Sequence, residues 1–387
     1  MVHLQTQPVS ASFRLSLFYG AFFLAGGVQL PFWPVWLASR GFGPGEIGAL
    51  LAISQWVKVA ANPLTGSLAD RSGDPRRFML LLGIVCVAGY LLCIPARGFV
   101  EITLLSALTA SCLASILPIG EALALSFATG GKLQYGRVRM WGTLSFILTT
   151  LLGGHVLNGR GADTILYLII GLTALNLLSC GFLPRAATHL HDTQPGAWRR
   201  LLNLRNLVFL TALMLNTASH SVYYAFGTIH WQSQGFSDVT ISWLWAEGAM
   251  AEAVLFFFGA KAVERLGLAP LLALGTACGV LRWTVLAFTA SLPVLVLVQL
   301  LHAGTVAAVG LAGMAYLSRT VPPRYAATSQ AVCAAINSAI GLGVFMLAAG
   351  ALYGAIGGLA YLAMAGLSAL GTVLALQLGR MLAAANS

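Results

Sequence analysis

Six ionisable side chains set inside long apolar runs are where this sequence could do chemistry. Glu121 lies in one run, and Arg139 follows in the next, within Tyr135-Gly136-Arg137-Val138-Arg139-Met140-Trp141-Gly142; Lys58, Glu247, Glu252 and Arg282 sit in others. A carboxylate or guanidinium at the centre of a bilayer costs roughly 2.5 to 3.5 kcal/mol, so such groups face a wet cavity or each other. The spacing of Glu121 and Arg139, on consecutive runs joined by one short basic turn, predicts a pair that handles a polar solute and a proton. Lys58 and Arg139 suit a carboxylate ligand, Arg139 because its planar fork matches that group. Arg139 is only a few residues inside its run, so reaching back to the membrane surface is the competing reading.

Glu252 is the expected proton acceptor, since an acid whose cationic neighbour changes with conformation can load and release a proton. A static ion pair is its alternative. Glu247 and Arg282 match in depth on adjacent runs, which predicts a structural salt bridge between them, though both are also candidates for the proton-coupling group. His302 could relay protons because its unperturbed pKa lies near neutrality, or could be a hydrogen-bonded core residue. Helical spacing places Gln55, Lys58 and Asn62 on one face of the second run, and Asn216, His220, Tyr223, Tyr224 and Gly227 approximately on one face of the seventh. With Asn337 in the eleventh run, these polar stripes are what a hydrated central cavity needs. His220, Tyr223 and Tyr224 suit an aromatic or polar ligand, with packing as the plainer use of the aromatics.

These side chains must be positioned by membrane helices. Of the 387 residues, 58% are hydrophobic and only 8% charged, with a mean hydropathy of +0.84. A soluble domain carries about 25% charged residues, so a polytopic membrane protein is the class. About 20 apolar residues cross a bilayer core. Twelve such runs are present, near 14–38, 46–69, 77–96, 101–129, 137–157, 163–184, 206–231, 239–260, 268–290, 293–318, 326–350 and 356–380. Of the 21 Lys and Arg residues, fifteen then fall on the side shared by both termini and three on the other, which predicts cytoplasmic termini in a bacterial inner membrane. The net charge of +10 is spread in small groups between runs, pointing to a lipid-facing cytoplasmic side and away from nucleic acid. All six cysteines lie in apolar runs without metal-ligand spacing. Residues 1–12 lack the charged start and cleavage site of a signal peptide, so the first run is expected to be retained.

The longest connection divides the runs six and six. It predicts an N-terminal bundle over 1–184, a cytoplasmic linker over 185–205 and a C-terminal bundle over 206–387. His189, His191 and Asp192 in the linker have no fourth ligand nearby and read as solvated. The halves repeat at a constant offset of 194 residues. Ser39-Arg40-Gly41-Phe42 returns as Ser233-Gln234-Gly235-Phe236, Asp70-Arg71-Ser72-Gly73 as Glu264-Arg265-Leu266-Gly267, and Lys58 aligns with Glu252. Parallel repeats of this kind are expected to hold substrate between the halves near the midplane.

Gly66-Ser67-Leu68-Ala69-Asp70-Arg71-Ser72-Gly73-Asp74-Pro75-Arg76-Arg77 resembles the signature loop between helices 2 and 3 of the major facilitator superfamily, with Asp74-Pro75 displacing the usual last basic pair. The resemblance implies a conformational latch made by Gly66, Asp70, Arg71, Gly73, Arg76 and Arg77, in an all-α membrane protein of twelve helices in two pseudo-symmetric six-helix bundles. Within that superfamily the chain is similar to the lactose-permease-like branch, and most of all to the phenylpropionate permease family. The similarity lies in the 135–142 stretch, Ser219-His220-Ser221-Val222-Tyr223-Tyr224, Trp231-Gln232, Arg282-Trp283, Gln299 to Gly304, and Ala251-Glu252. It implies that Glu121 and Arg139 bind substrate and that Arg282 and His302 belong to the proton-coupling half. Thr305 stands where the lactose permease has an acid one turn after its histidine, and Gln299 where it has a lysine, so coupling must run through other groups.

The expectation is secondary active transport by alternating access: proton-coupled uptake of a small aromatic carboxylate of phenylpropanoid type. A sugar, nucleoside or siderophore-like transporter, or an exporter, remains open. The expected partners are a small-molecule substrate, protons and membrane lipids, with no cofactor, no nucleic acid and a monomeric state. An enzyme is disfavoured, since neither H-E-x-x-H nor G-x-S-x-G occurs, and Gly130-Gly131-Lys132 is followed by Leu133 rather than the Ser or Thr of a phosphate loop.

Overall fold

The computed structural model describes residues 11–129, 133–184, 203–322 and 326–384, and these are helical almost throughout. Continuous spans are α1 Ala11–Ser39, α2 Pro44–Ser72, α3 Pro75–Leu92, α4 Phe99–Thr129, α5 Tyr135–Leu157 and α6 Asp163–Phe182. The remaining spans are mostly built from shorter pieces. They are α7 (Leu204–Ala218, Ser221–Ser233), α8 (Asp238–Phe257, Gly259–Leu266), α9 Leu268–Phe288, α10 (Leu292–Gln299, a π-turn Ala303–Ala308, Val309–Thr320), α11 (Ala326–Ile336, a π-turn Asn337–Val344, Phe345–Ile356) and α12 Ala360–Ala383. Nine helical stretches among the described residues are long and apolar enough to cross a membrane. One of them, Ser329–Ala383, is 55 residues long and holds both α11 and α12, which turn back at Gly357 with φ +56°. The polar residues of α2 and the break in α7 keep these two below the same threshold.

The repeat is visible in the backbone. Gly41 and Gly235 adopt φ of +90° and +87°, and Gly73 and Gly267 adopt +65° and +78°. Left-handed φ is open to glycine at no steric cost, so each half uses the same residue to leave the same helix ends. The departure from the family's signature loop also has a local reason. Asp74 caps α3, accepting from the Arg77 backbone N–H at 3.2 Å, and Pro75 occupies the first helical turn. Asp74 with Pro75 is a helix-start device.

By packing, the described residues fall into two units, one of residues 11–36 with 60–184 and one of residues 37–59 with 203–384. The first has a core around Phe18, Tyr19, Met79, Ile116 and Leu123. The second has a core around Phe209, Leu272, Val309, Tyr316 and Leu378, with the Phe209 and Tyr316 rings stacked 3.9 Å apart. Within this second unit, the first half of α2 lies close against α11. A Cβ built on Gly48 would come within 2.6 Å of the Met346 carbonyl, and one on Gly350 within 2.6 Å of the Pro44 carbonyl. Only glycine permits that approach.

Candidate functional site

The predicted Glu121–Arg139 pair forms. Arg139 Nε lies 3.6 Å from Glu121 Oε1, and both side chains are about one-third exposed. The guanidinium also rests 4.4 Å from the Phe23 ring centroid and 5.4 Å from that of Tyr19. Its place is therefore set from α1 and α4.

The second unit holds a larger network centred on Arg282, which is completely buried. Its guanidinium lies 4.5 Å from the ring centroids of both Tyr223 and Trp283, so two π-faces take up part of a charge that has left water. Nη1 donates to His302 Nδ1 at 2.8 Å and approaches Thr305 Oγ1 at 3.4 Å, while Nη2 donates to Gln299 Oε1 at 2.8 Å. Gln299, also fully buried, uses its amide nitrogen on the Tyr223 hydroxyl at 3.0 Å and the Leu244 carbonyl at 2.9 Å, which fixes its orientation. His302 Nε2 stands 3.6 Å from Glu252 Oε2. A guanidinium can only donate, so His302 Nδ1 must offer its lone pair. The single ring proton of the neutral imidazole then sits on Nε2, facing Glu252.

The expected Glu247–Arg282 salt bridge is not among the ion pairs of the described residues. Arg282 is held by neutral acceptors and aromatic faces, and Glu252 reaches it through His302. Equal depth on neighbouring helices was a poor guide because helix rotation decides the partner. Arg282 is thus a centre of the unit's core.

Three irregularities in the helices converge beside this network. In α7, Ser219 Oγ and His220 Nδ1 both bond the Asn216 carbonyl, at 2.7 and 2.8 Å, and the helix breaks there because side chains compete for a backbone acceptor. The π-turns of α10 and α11 bring in Thr305 and Asn337. Together they wall a cavity of about 300 Å³ lined by Asn216, Thr217, His220, Tyr224, Thr305 and Asn337, among others. π-Turns of this kind occur often at functional sites. His220 Nε2 lies 3.2 Å from Thr305 Oγ1, and the Asn216 amide donates to the Thr305 carbonyl at 2.8 Å. Thr305 therefore touches both the cavity wall and the Arg282 group.

The structure sorts the other predicted residues. Tyr224 and His220 line the cavity with their rings stacked 5.4 Å apart, whereas Tyr223 is buried among Trp231, Trp245 and Trp283 and serves as the seat for Arg282. Lys58 Nζ donates to Gln55 Oε1 at 3.4 Å, and that oxygen also accepts from Ser338, next to Asn337, at 3.2 Å. Asn62, expected on the same stripe, instead accepts from Ser115 at 3.5 Å in the first unit. Arg77 pairs with Asp74 at 3.2 Å on the surface. Gly66, Arg71, Gly73 and Arg76 lie around the turn between α2 and α3; the Asp70 side chain is outside the described residues, as are residues 185–202 with His189, His191 and Asp192, and Gly130 to Lys132. Among the described residues there is no group of His, Cys, Asp and Glu that could hold a metal. Gln299, Thr305 and Ser338 were not singled out as site residues. The i,i+3 spacing of Gln299, His302 and Thr305 was the available signal for two of them.

Comparison with known proteins agrees with this architecture. The family profile described as MFS_1 like family matches residues 12–363. The probable 3-phenylpropionic acid transporter of Escherichia coli (strain K12) is 31% identical over 315 residues, covering 79% of this chain and 81% of that protein. The maltose permease of Geobacillus stearothermophilus is 28% identical, covering 84% of this chain and 83% of that protein. A crystal structure of a mutant of the nucleoside transporter NupG superposes with a TM-score of 0.86 at 16% identity, over 95% of this chain and all of that one. With the twelve helices, the duplicated glycine turns and the signature loop, the profile match and the 31% identity place the chain in the MFS_1-like family of the major facilitator superfamily, a multi-pass membrane transporter and not an enzyme.

Proposed function

We propose that this transporter couples the movement of a small aromatic carboxylate to protons, with Glu252 as the proton-binding group. The observation that carries the proposal is the Glu252–His302–Arg282 chain. His302 offers Nδ1 to Arg282 and keeps its proton on the side of Glu252, so a second ring proton at Nδ1 would break the 2.8 Å bond to the guanidinium. A proton taken up by Glu252 removes the negative charge that faces the Nε2–H of His302, so the ring that accepts from Arg282 loses the partner that orients it. Thr305 carries that change on to His220 and the cavity wall, which is how a chain without the acid of the lactose permease could still link proton and solute. Arg139, with the Phe23 and Tyr19 rings beside it, offers within the first unit the cation and aromatic faces that a phenylpropanoid acid would need, Lys58 is a second cation in the other unit, and the likeness to a 3-phenylpropionic acid transporter supports that solute class. Two six-helix bundles, 1–184 and 206–387, cytoplasmic termini, an inner-membrane location, a monomer, and a latch at Gly66 to Arg77 complete the proposal.

The neutral polar lining of Asn216, Thr217, His220 and Asn337 favours a second reading, a hydroxylated solute such as a sugar or nucleoside, in line with the maltose permease likeness. The test is uptake of 3-phenylpropionate, with maltose and uridine in parallel, into proteoliposomes under an imposed gradient of one pH unit. One proton per solute supports about tenfold accumulation, since a factor of ten in concentration corresponds to about 1.4 kcal/mol. Glu252→Gln should abolish accumulation while keeping solute exchange. Accumulation by the variant equal to that of the parent would remove Glu252 from the mechanism.

A further inference from the structure

Two adjoining cavities in the first unit form one amphipathic groove. The deeper one, about 750 Å³, runs between α1, α5 and α6, is largely apolar, and is walled by Leu17, Leu24, Leu175, Leu178 and Phe182. The other, about 530 Å³, lies against the first turns of α1 and α5 and includes Gln134 and Arg137. Ser12, Ser16 and Trp141 line both, so the two are continuous. Phe13, Trp141, Leu178 and Phe182 are more than half exposed, so the groove opens at the surface of the chain along large apolar side chains, as a lipid-facing groove would.

From this geometry we infer a binding site for one anionic glycerophospholipid, headgroup at Arg137 and an acyl chain along α1. Four observations define the occupant. Arg137 makes no ion pair with any described residue and no carboxylate lines either cavity, so the mouth carries an uncompensated positive charge. It stands at the end of the span where Trp141 would lie at headgroup level, as interfacial aromatics do. Ser16, which lines both cavities, and Ser145, which lines the larger one, point to a guest with polar atoms. Ser54, Ser111, Ser115, Ser126 and Ser179 satisfy their hydroxyls on carbonyls three or four residues back, but the hydroxyls of Ser16 and Ser145 make no such bond among the described residues. Lipid ester oxygens are acceptors that would use them. Finally, the stretch from Ser12 to Leu24 rises by about 18 Å at 1.5 Å per residue, close to one leaflet of a roughly 30 Å hydrocarbon core.

The test is native mass spectrometry of the full chain in mixed micelles holding equal phosphatidylglycerol and phosphatidylcholine. One phosphatidylglycerol should remain bound in preference to phosphatidylcholine by at least about fivefold, the selectivity that one basic residue near an anionic headgroup supplies. Arg137→Gln should erase the preference, and Ser16→Phe, which puts a bulky ring where the two cavities adjoin, should lower occupancy by either lipid. Equal retention of both lipids by the unaltered protein overturns the inference and does not depend on how any variant folds. Unchanged occupancy in both variants also overturns it, as does a Ser16→Phe chain that alters protein stoichiometry while keeping its lipid, since a second copy would then be the occupant.

Discussion

Replacing Gln299 separates the structural and the coupling roles of the Arg282 network. Gln299→Leu removes the 2.8 Å acceptor of the Arg282 Nη2 and two donor bonds, to the Tyr223 hydroxyl and the Leu244 carbonyl. A bond to a buried charged donor contributes about 1.5 to 3 kcal/mol and each neutral bond about 1. The apolar replacement returns about 1 to 2 kcal/mol through burial of its side chain. The net loss is on the order of 2 to 4 kcal/mol. At roughly 2 to 4 °C per kcal/mol for a large domain, the thermal midpoint should fall by about 5 to 15 °C. Gln299→Glu retains an acceptor for Nη2 and adds a charge opposite to that of Arg282, so it should melt nearer the parent. It should nevertheless lose proton-driven accumulation, because a fixed carboxylate beside Arg282 weakens the hold of His302 on the same guanidinium. The assay is intrinsic tryptophan fluorescence on heating, favoured here because Trp245 and Trp283 pack around Tyr223, run beside uptake by the same preparations. If Gln299→Leu melts with the parent, or if Gln299→Glu is the less stable of the two and still accumulates solute, the account of how Arg282 is held is wrong.

Glu121→Gln and Arg139→Gln should each weaken binding of 3-phenylpropionate, measured by ligand-induced thermal shift, with little change in the melting of the unliganded chain. The pair is one-third exposed, and such pairs contribute only about 0.2 to 1 kcal/mol to stability. Unchanged binding in both variants would assign the pair a purely structural role. Gly350→Val should disrupt the packing of α2 on α11, because the added carbon would meet the Pro44 carbonyl at 2.6 Å. Disulfide trapping of a Pro44→Cys, Gly354→Cys pair, whose Cβ positions lie 3.5 Å apart, should then drop sharply relative to the same pair in the Gly350 parent; equal trapping would show that the approach is not tight.

Class and span count were legible in the linear sequence because they depend on local composition: a run of about 20 apolar residues with one or two charges has few places to go other than a bilayer. The duplicated glycines were legible too, since a left-handed turn at Gly41, Gly73, Gly235 and Gly267 is a property of single residues. Glu121 and Arg139 could be paired because consecutive spans joined by a short turn are neighbours of necessity. The groups around Arg282 were another matter. Depth along a helix follows from residue number, but the partner of a side chain follows from rotation about the helix axis and from which helices pack together. Glu247 and Glu252 are five residues apart, and only packing decided that Glu252 meets His302 while Arg282 turns to Gln299, Tyr223 and Trp283. Nor could periodicity foresee the break at Ser219 and His220 or the π-turns at Ala303–Ala308 and Asn337–Val344. Each of these shifts the phase of a helix by a fraction of a turn, and that shift is an outcome of tertiary packing, settled by which backbone carbonyl a side chain can reach.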